Sequence, residues 1–318
     1  MLSDLIAKVR DYPGLKRKEA ISSFVETLKP VEDFGYTVLG FGDDSAALKL
    51  GTDNILFASD GIWTQLHSDP FWAGYCSVLV NVNDIYAMGG VPLGMTNNVS
   101  YTSDEEGKQV ADGIREACEK FNVAMVGGHT HPGADFLSVS VSIVGRGNKL
   151  ITSAGCSEGD EIIVAIDLDG KKRGDFLNWD STSHKPSEVV LGQLGCLVRL
   201  AENEMVTAGK DISNPGILGT IGMLLETSGK GAQLDLDSLP IPEGVEMDEW
   251  VLIYPGFGFV LTCNPELSRE VIRVFQEEHV VADVVGTITG DKKYVVRSGE
   301  EEGLLFDFEL DSITGLGK

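Results

Sequence analysis

Hydrophobic residues recur along the first half of the chain at two spacings, and each spacing predicts one kind of element. Between residues 70 and 88 the apolar side chains fall three or four positions apart, as on one face of an amphipathic helix. A second long helix is predicted over residues 103–121, where Ser103 is the N-cap and Glu106 completes a capping box. Short apolar runs between polar turns predict strands over residues 46–50, 55–59, 95–100, 123–126 and 137–144.

Two shorter helices are predicted over residues 2–9 and 18–28, because Pro13 and Gly14 interrupt the helical spacing. Strands interleaved with helices over residues 31–150 favour an α+β fold, a mixed sheet covered by helices. The second half repeats this mixture, with predicted strands over 161–166, 232–236, 258–262 and 284–288 and helices over 187–204, 214–228 and 266–279.

A polar, glycine-rich stretch over residues 152–159 separates the two halves. We therefore expect an N-terminal domain over residues 1–152 and a C-terminal domain over residues 153–318. Residues 171–185 are polar and rich in turn formers, so a mobile loop is predicted there.

Length and charge narrow the classes of function. The 318 residues include 25 Lys and Arg against 49 Asp and Glu, a net charge of −24, which argues against a nucleic-acid-binding face. No apolar run approaches the ~20 residues of a membrane span, and no signal peptide is expected. Five cysteines without a Cys-x-x-Cys pair argue against disulfides and a zinc site. We expect a cytoplasmic protein without a membrane or nucleic-acid partner.

Acidic residues stand where predicted elements begin or end. They are Asp43 and Asp44 after a glycine turn, Asp60 at the end of an apolar strand, Asp84 in the last turn of a helix, and Asp211 before a helix. An aspartate in the last helical turn opposes the helix dipole, and an acid at the end of a buried strand loses solvation. A bound metal offsets both costs. Solvated turns and plain helix capping are the alternative interpretations.

Two further segments are typical of anion binding. Gly127 and Gly128 are predicted to follow a strand, so that backbone amides approach a phosphate, and His129 comes next. Asn214 and Pro215 are predicted to be the N-cap and first residue of a helix, whose N-terminus attracts anions. A loop histidine that only hydrogen-bonds its own loop is the alternative for His129.

Together these acids suit magnesium, which takes carboxylate and phosphate oxygens as ligands. The Walker pattern is absent, so a P-loop site is excluded.

At these residues the chain resembles the superfamily of aminoimidazole ribonucleotide (AIR) synthetase, thiamine-monophosphate kinase, selenophosphate synthetase and the hydrogenase-maturation dehydratase. It looks most like the AIR-synthetase-related group found as a marker in methanogens. The segments that carry the resemblance are residues 42–46 (GDDSA), 59–61 (SDG), 81–92 (NVNDIYAMGGVP), 127–130 (GGHT), 142–147 (SIVGRG) and 211–213 (DIS).

The resemblance implies a two-domain fold whose N-terminal sheet dimerises and whose C-terminal domain is an α/β sandwich. It also implies an ATP- and Mg²⁺-dependent enzyme that transfers phosphate to a small-molecule substrate. His129 is the candidate catalytic residue. The implied magnesium ligands are Asp43, Asp44, Asp60, Asp84 and Asp211, and the implied nucleotide contacts are Ser59, Gly127, Gly128, Thr130, Arg146 and Ser213.

Three departures from the family patterns leave the acceptor open. The acid-bearing Gly-Gly-Glu-Asp element of the kinase is replaced by PGFGF at residues 255–259, and Asn214 stands where the family has a second aspartate. Residues 1–40 lack the reactive cysteine of selenophosphate synthetase. A phosphotransferase of unassigned substrate is the leading hypothesis. The alternatives are a non-catalytic ATP-binding sensor or assembly factor, and an inactive paralogue.

Overall fold

The computed structural model describes residues 2–317 and contains two large sheets with helices packed between and around them. The sheet of the first half is mixed and has the order β1-β2-β3-β6-β4-β5, in which β4 and β5 are parallel. The elements of this half are α1 (Leu2–Asp11), α2 (Pro13–Lys16), α3 (Ile21–Leu28), β1 (Thr37–Leu39), β2 (Ala46–Leu50), β3 (Asp53–Gly61), α4 (Pro70–Ala87), β4 (Val91–Tyr101), α5 (Asp104–Phe121), β5 (Met125–Pro132) and β6 (Ser138–Gly147).

Helix α4 is buried on nearly all sides, rather than on the single face that the hydrophobic spacing predicted. It packs against β3 and β6 of the sheet and against α5. Glycines permit the close approach of α5, because a Cβ at Gly113 would lie 1.9 Å from the carbonyl oxygen of Phe71. Consequently the polar residues of the last turns of α4, Asn81, Asn83 and Asp84, are buried as well.

Strand β5 continues through the glycine pair that was expected to end it. Gly127, Gly128 and His129 pair in parallel register with residues 96–98 of β4. Because β5 has only one neighbour, it is an edge strand, and its residues after Met125 are exposed. The segment therefore offers an extended row of backbone groups rather than a loop.

The sheet buries one face under α4 and leaves the opposite face exposed. Along β3, Asn54, Leu56 and Ala58 are buried, whereas Phe57 between them is 48% exposed. We call the exposed side of the six-stranded sheet its outer face. A strand directs alternate side chains to opposite faces, so this pattern assigns each residue of the sheet to one side.

The second half forms a seven-stranded sheet of order β10-β13-β7-β14-β11-β15-β16 and a small sheet of order β12-β9-β8. Its elements are β7 (Glu161–Ile166), β8 (Lys171–Lys172), β9 (Asn178–Asp180), α6 (Ser187–Glu202), β10 (Ala208–Asp211), α7 (Gly216–Ser228), β11 (Gly231–Asp235), α8 (Met247–Trp250), β12 (Tyr254–Pro255), β13 (Gly258–Cys263), α9 (Ser268–Gln276), β14 (Val281–Thr289), β15 (Lys293–Ser298) and β16 (Glu301–Asp307).

Helix α1 packs with the second half, although it opens the chain. It lies against β16, and its apolar residues Leu2, Leu5 and Val9 belong to the core that includes α7 and β11. The predicted N-terminal domain of residues 1–152 therefore differs from the structure over its first helix. Amphipathic spacing shows that a helix has an apolar face but not which sheet covers that face.

Residues 171–185 were expected to form a mobile loop, but the structure orders them. Strand β9 pairs in parallel with β12, and the Trp179 indole donates a hydrogen bond to the Asp167 carbonyl at 3.2 Å. Asn178, Asp180 and Thr182 are each at most 1% exposed. Their polar groups bond within the protein, which is why a polar composition did not produce a surface loop.

The start of α7 also differs from the expected capping. Pro215, not Asn214, precedes the first helical residue, and no side chain caps the helix. Gly216 begins the helix at φ 76°, a conformation that glycine adopts without strain.

The α+β class and the two-domain organisation predicted from the sequence are confirmed by these sheets and helices. Within residues 2–317, no helix combines the length and the apolar composition needed to cross a bilayer.

Candidate functional site

Three carboxylates from three separate segments meet where the domains join. Asp84 lies in the last turn of α4, Asp211 ends β10, and Asp44 lies in the turn that precedes β2. One oxygen atom from each of the three lies within 4.8 Å of the others. We call these residues the carboxylate trio.

One ammonium group pairs with the carboxylate trio among the residues that the structure describes. Lys210, 4% exposed, forms a short ion pair with Asp44, and the backbone N–H of Asp211 donates to the second Asp44 oxygen at 3.2 Å. The ion pair joins the first domain to the second. Three carboxylates against one ammonium leave an excess of negative charge in a buried place, which is unfavourable unless a cation compensates it.

Burial and mutual repulsion appear in the pKa values of these groups. Burial, reinforced by Asp60 and by the other two members of the trio, raises the pKa of Asp84 well above its usual range. Burial and the charge of Asp44 likewise raise the pKa of Asp211 to about 8. Burial alone would lower the pKa of Lys210, but the adjacent carboxylates raise it overall. Without a cation, the folded protein therefore either binds protons at these carboxyl groups or holds their charges close together, and both carry an energetic cost.

The donor set fits a hard divalent cation such as magnesium. All three members of the trio supply carboxylate oxygens, the donor type that Mg²⁺ prefers. Asn81, on the turn before Asp84, has a buried side-chain oxygen without a hydrogen-bond partner, while its amide nitrogen donates to Ser77. A bound cation would neutralise the excess negative charge. The donor set suits it because several oxygen atoms, and not a single one, are available as ligands.

Asp43 and Asp60 lie near the trio without belonging to it. Asp43 accepts a hydrogen bond of 2.5 Å from the backbone N–H of Ser153, so it ties the turn to the second domain. Asp43 and Asp44, although adjacent in sequence, therefore have different partners. Asp60 contacts solvent, yet burial by neighbouring atoms raises its pKa, and the Lys18 ammonium partly offsets that rise.

A cavity of about 130 Å³ opens beside the trio and extends along α4. Asp60, Asp211 and Ser213 line the end next to the trio. We call it the junction cavity. Its walls come from both domains and from the N-terminal segment: Arg17, Lys18, Asp60, Gly61, Ile62, Trp63, Leu66, Cys76, Leu79, Val80, Asn83, Asn178, Asp211, Ile212, Ser213, Asn214, Tyr254 and Pro255.

Sequence reasoning missed the basic residues of this site. Lys210 precedes Asp211 directly, and Arg17 and Lys18 line the junction cavity although they lie far away in the chain. The run Lys16-Arg17-Lys18 in a strongly acidic chain was a usable signal. What the spacing could not show is that α1 and α2 dock on the second domain and carry this run to the cavity.

The predicted nucleotide and catalytic residues of the first domain occupy a different place. Ser59 precedes Asp60 but lies on the outer face, where its hydroxyl is 2.9 Å from that of Ser142. His129 is exposed, and its ring lies 4.6 Å from that of His131, two residues on, so both point to one side of β5. The sheet thus separates these side chains from α4 and Asp84.

The distance from His129 to the end of β3, beside Asp60, follows from the strand register. His129 pairs with Asn98, Asn98 with Ser140, and Ser140 with Gly61 at the end of β3. Three strand spacings of ~4.8 Å separate His129 from Gly61 by about 14 Å. The structure therefore does not bring His129 together with the carboxylate trio.

Four further predicted residues are spread over the first domain. Thr130 lines a separate cavity of about 290 Å³ beneath β4 and β5. Arg146 pairs with Ile55 near the start of β3, whereas Ser140 pairs with Gly61 at its end. Six residues separate the two pairs, so Arg146 lies about 20 Å from the end of β3 along the strands. Arg146 lines another cavity of about 270 Å³ together with Asp53. Gly127 and Gly128 lie in edge strand β5.

Comparison with known proteins agrees with the two-domain architecture. The family model described as AIR synthase related protein, N-terminal domain, matches residues 42–147, and the model of the C-terminal domain of the same description matches residues 147–299. The chain belongs to the AIR synthase-related family.

The AIR synthase-related chain is similar over almost its whole length to two uncharacterised proteins. An uncharacterised protein of Methanocaldococcus jannaschii is 42% identical, covering 99% of both chains. One of Synechocystis is 36% identical, covering 99% of this chain and 98% of its own. A thiamine-monophosphate kinase of Buchnera aphidicola is 26% identical, covering 80% of this chain and 86% of its own.

Solved structures show the same fold. AaThiL complexed with AMPPCP and TMP matches with a TM-score of 0.68 at 18% identity, covering 92% of this chain and 98% of that one. T. maritima PurL complexed with ATP matches with a TM-score of 0.72 at 17% identity, covering 85% of this chain. The AIR synthase-related chain spans about half of PurL, 47% of its length. The family thus includes ATP-using enzymes, kinases among them.

Replacing one member of the trio tests for a metal site in this AIR synthase-related chain. Without metal, Asp84→Asn removes a buried carboxyl that must either bind a proton on folding or stay charged beside like charges, so it should raise the melting temperature by about 2–4 °C per kcal/mol of relief. With magnesium, the wild type should gain stability and the variant should not, because a ligand is lost. Calorimetric melting with EDTA and with Mg²⁺ measures both effects. Asp135→Asn, an exposed aspartate, is the matched control, and equal magnesium responses in all three proteins would exclude the trio as the site.

The pH dependence of stability gives an independent check. In metal-free protein the pKa of Asp211 rises from 3.8 to about 8 on folding, so the folded state binds more protons than the unfolded state between these values. The free energy of unfolding should therefore fall as pH rises from 4 to 8, by up to ~1.4 kcal/mol per pH unit and proton. Urea titrations in EDTA measure this slope, which should flatten in Asp211→Asn. A free energy that rises over this range would contradict the assigned cluster.

Proposed function

We propose that this chain is an ATP- and Mg²⁺-dependent enzyme that transfers phosphate to, and so activates, a small-molecule acceptor. The observation that carries the proposal is the carboxylate trio, which holds excess negative charge beside a cavity. A divalent cation supplies the positive charge that such a place requires, and the phosphate oxygens of a nucleotide supply further ligands of that cation. Membership of a family with ATP-using kinases supports the same conclusion.

In this proposal Asp44, Asp84 and Asp211 hold magnesium. The ion, when bound, neutralises charge on the nucleotide phosphates. Asp60 lines the junction cavity near these three and is the candidate for a further ligand, and Ser213 faces the same end of the cavity. Asp43 is a weaker candidate, because the backbone of Ser153 already occupies one of its oxygens.

The residues of the outer face are proposed to contact the nucleotide away from its transferred phosphate. Gly127 and Gly128 offer edge-strand backbone groups, and Ser59 lies three strands away on the same side. The separation of about 14 Å from the end of β3 argues against His129 as the acid–base group at the acceptor. We therefore propose contact with the nucleotide for the side chains of His129 and Arg146, and for the backbone of Thr130 in edge strand β5, because the Thr130 side chain lies on the opposite side of the sheet.

A single-turnover experiment tests the enzymatic proposal. Excess protein mixed with Mg²⁺ and ATP should release ADP, and a screen of metabolites should identify an acceptor that stimulates the release. Asp84→Asn should abolish it, because the trio would lose a ligand. A sensor or assembly factor would bind ATP without releasing ADP in the presence of any metabolite, and that result would replace the enzyme proposal with the sensor.

We also propose that the chain forms a homodimer through the outer face and strand β5. Apolar side chains are exposed there, among them Phe57 at 48%, Leu93 at 51% and Val126 at 73%. Large exposed apolar patches mark interaction sites, and an edge strand with free backbone groups is open to pairing. A second copy would cover the apolar side chains and contact the start of β5 at Val126, which leaves the backbone from Gly127 onward for the nucleotide.

A charge placed on this surface should disrupt the dimer. Val126→Glu puts a carboxylate on β5, where burial against a second copy would leave it unpaired. Light scattering at micromolar concentration should give the mass of a dimer for the wild type and of a monomer for the variant. Leu310→Glu is the matched control, because Leu310 is 86% exposed at another place. A monomeric wild type would overturn the proposal.

A further inference from the structure

The junction cavity has the features of a binding site for a second, small ligand. It lies beside the carboxylate trio and along α4, and its walls combine polar with apolar side chains. Asp60, Asp211 and Ser213 are among the polar ones. Ile62, Leu66, Leu79 and Val80 are the apolar ones, together with Cys76, whose thiol pKa burial raises well above its usual range.

Two cations face this cavity without forming an ion pair among the described residues. The Arg17 guanidinium stacks 4.8 Å above the ring of Trp63, and both residues line the cavity. Lys18 lies beside it, and burial lowers its pKa while Asp60 opposes the change. The preceding residue, Lys16, does form an ion pair: its ammonium lies 2.7 Å from the Asp11 carboxylate. Arg17 and Lys18 therefore remain available to a negatively charged ligand.

One buried oxygen lacks a hydrogen-bond donor. Asn83 is 3% exposed and lines the cavity; its amide nitrogen donates to the Gly256 carbonyl at 3.1 Å, whereas its side-chain oxygen has no partner. Because the nitrogen is fixed by Gly256, the oxygen is left to accept a hydrogen bond from elsewhere. A buried acceptor without a donor is unfavourable, and a ligand hydroxyl or amine would supply the missing hydrogen bond.

We propose that the phosphate acceptor is a small hydroxy- or amino-substituted monocarboxylate bound in the junction cavity. This inference rests on the proposed function, which needs an acceptor beside the carboxylate trio. Arg17 and Lys18 bind the carboxylate, Asn83 accepts a hydrogen bond from the hydroxyl or amino group, and the apolar side chains of the cavity contact a short hydrocarbon tail. In the transfer, a carboxylate oxygen forms a bond to the γ-phosphorus of ATP, the bond between that phosphorus and the bridging oxygen breaks, and ADP leaves. The product is an acyl phosphate, and no proton has to be removed from the acceptor.

The size and charge of the cavity limit the ligand. A cavity of ~150 Å³ accommodates benzene, so about 130 Å³ accommodates a molecule of roughly six to eight non-hydrogen atoms. Nucleosides and thiamine phosphate are too large for it. A monoanion matches the charge better than a phosphate ester does, because Asp60 already compensates part of the charge of Lys18.

Three related probes separate the two polar contacts. 2-Hydroxybutyrate carries the carboxylate, the hydroxyl and a two-carbon tail; butyrate lacks the hydroxyl; 2-hydroxybutyramide lacks the charge. Titration calorimetry with magnesium and AMPPCP present should give the tightest binding for 2-hydroxybutyrate. Removing either group should weaken binding about tenfold, the usual effect of a lost charge-assisted bond or of an unpaired buried acceptor.

Variants assign each contact to its residue. Arg17→Gln should weaken binding of both carboxylates about tenfold and leave the amide unchanged, and Lys16→Gln, in the same basic run, is the matched control. Asn83→Ala should reduce the affinity ratio of 2-hydroxybutyrate to butyrate to about one. This ratio depends on the contact and not on overall stability. If Asn83→Ala does not fold, the Arg17→Gln comparison of carboxylate with amide still decides.

The outcomes distinguish this inference from the proposed function. Binding of Mg²⁺ and AMPPCP by the wild type, with no binding of any monocarboxylate of two to six carbons, would overturn the inference and leave the proposed function standing. Carboxylate binding that is equal in wild type and Arg17→Gln would also overturn it. Absence of any magnesium or AMPPCP binding would overturn the proposed function itself, and with it the inference.

Discussion

The burial of three carboxylates against one ammonium group is the constraint on which the junction of the two domains depends. Asp84 comes from a helix of the first domain, Asp211 from a strand of the second, and Asp44 from a turn that reaches across to Lys210. No segment brings these charges together by itself, so the cluster exists only when the domains are docked. Its electrostatic cost must be met by the rest of the fold, because buried like charges repel strongly at this distance.

The burial of helix α4 contributes the free energy that offsets this electrostatic cost. It is surrounded by the sheet, by α5 and by the second domain, so its apolar side chains hold Asp84 in place. Burying an apolar side chain contributes about 1.5–3 kcal/mol, and α4 buries many of them. An exposed amphipathic helix would let its last turn relax toward water and separate the charges. The complete burial of α4 therefore explains how a site with raised carboxyl pKa values stays assembled.

The local sequence pattern was sufficient to predict the acidic residues of the site, but not its basic residues or the course of β5. Asp84 stood out because it opposes the dipole at the end of an apolar helix, and Asp211 and Asp44 because they stand at element ends. Arg17 and Lys18 did not stand out in the sequence, because their position depends on the packing of α1 against β16. These two elements are nearly 300 residues apart in the chain. The course of β5 through Gly127 and Gly128 was also hidden, because glycines usually mark the end of a strand, and only the pairing with β4 shows that this one continues.

The alternation of side chains along β3 places two sets of predicted site residues on opposite sides of the sheet. Ser59 and Asp60 are adjacent in sequence, yet Ser59 lies on the outer face, the side to which His129 points, whereas Asp60 lines the junction cavity. A ligand that contacts both sets of residues has to pass the end of β3, since the body of the sheet is closed by paired strands. Gly61 lies at that end, and a Cβ there would meet only the Ser140 hydroxyl, at 3.8 Å. The end of β3 is thus open, and it is the place where the outer face and the carboxylate trio come within reach of one molecule.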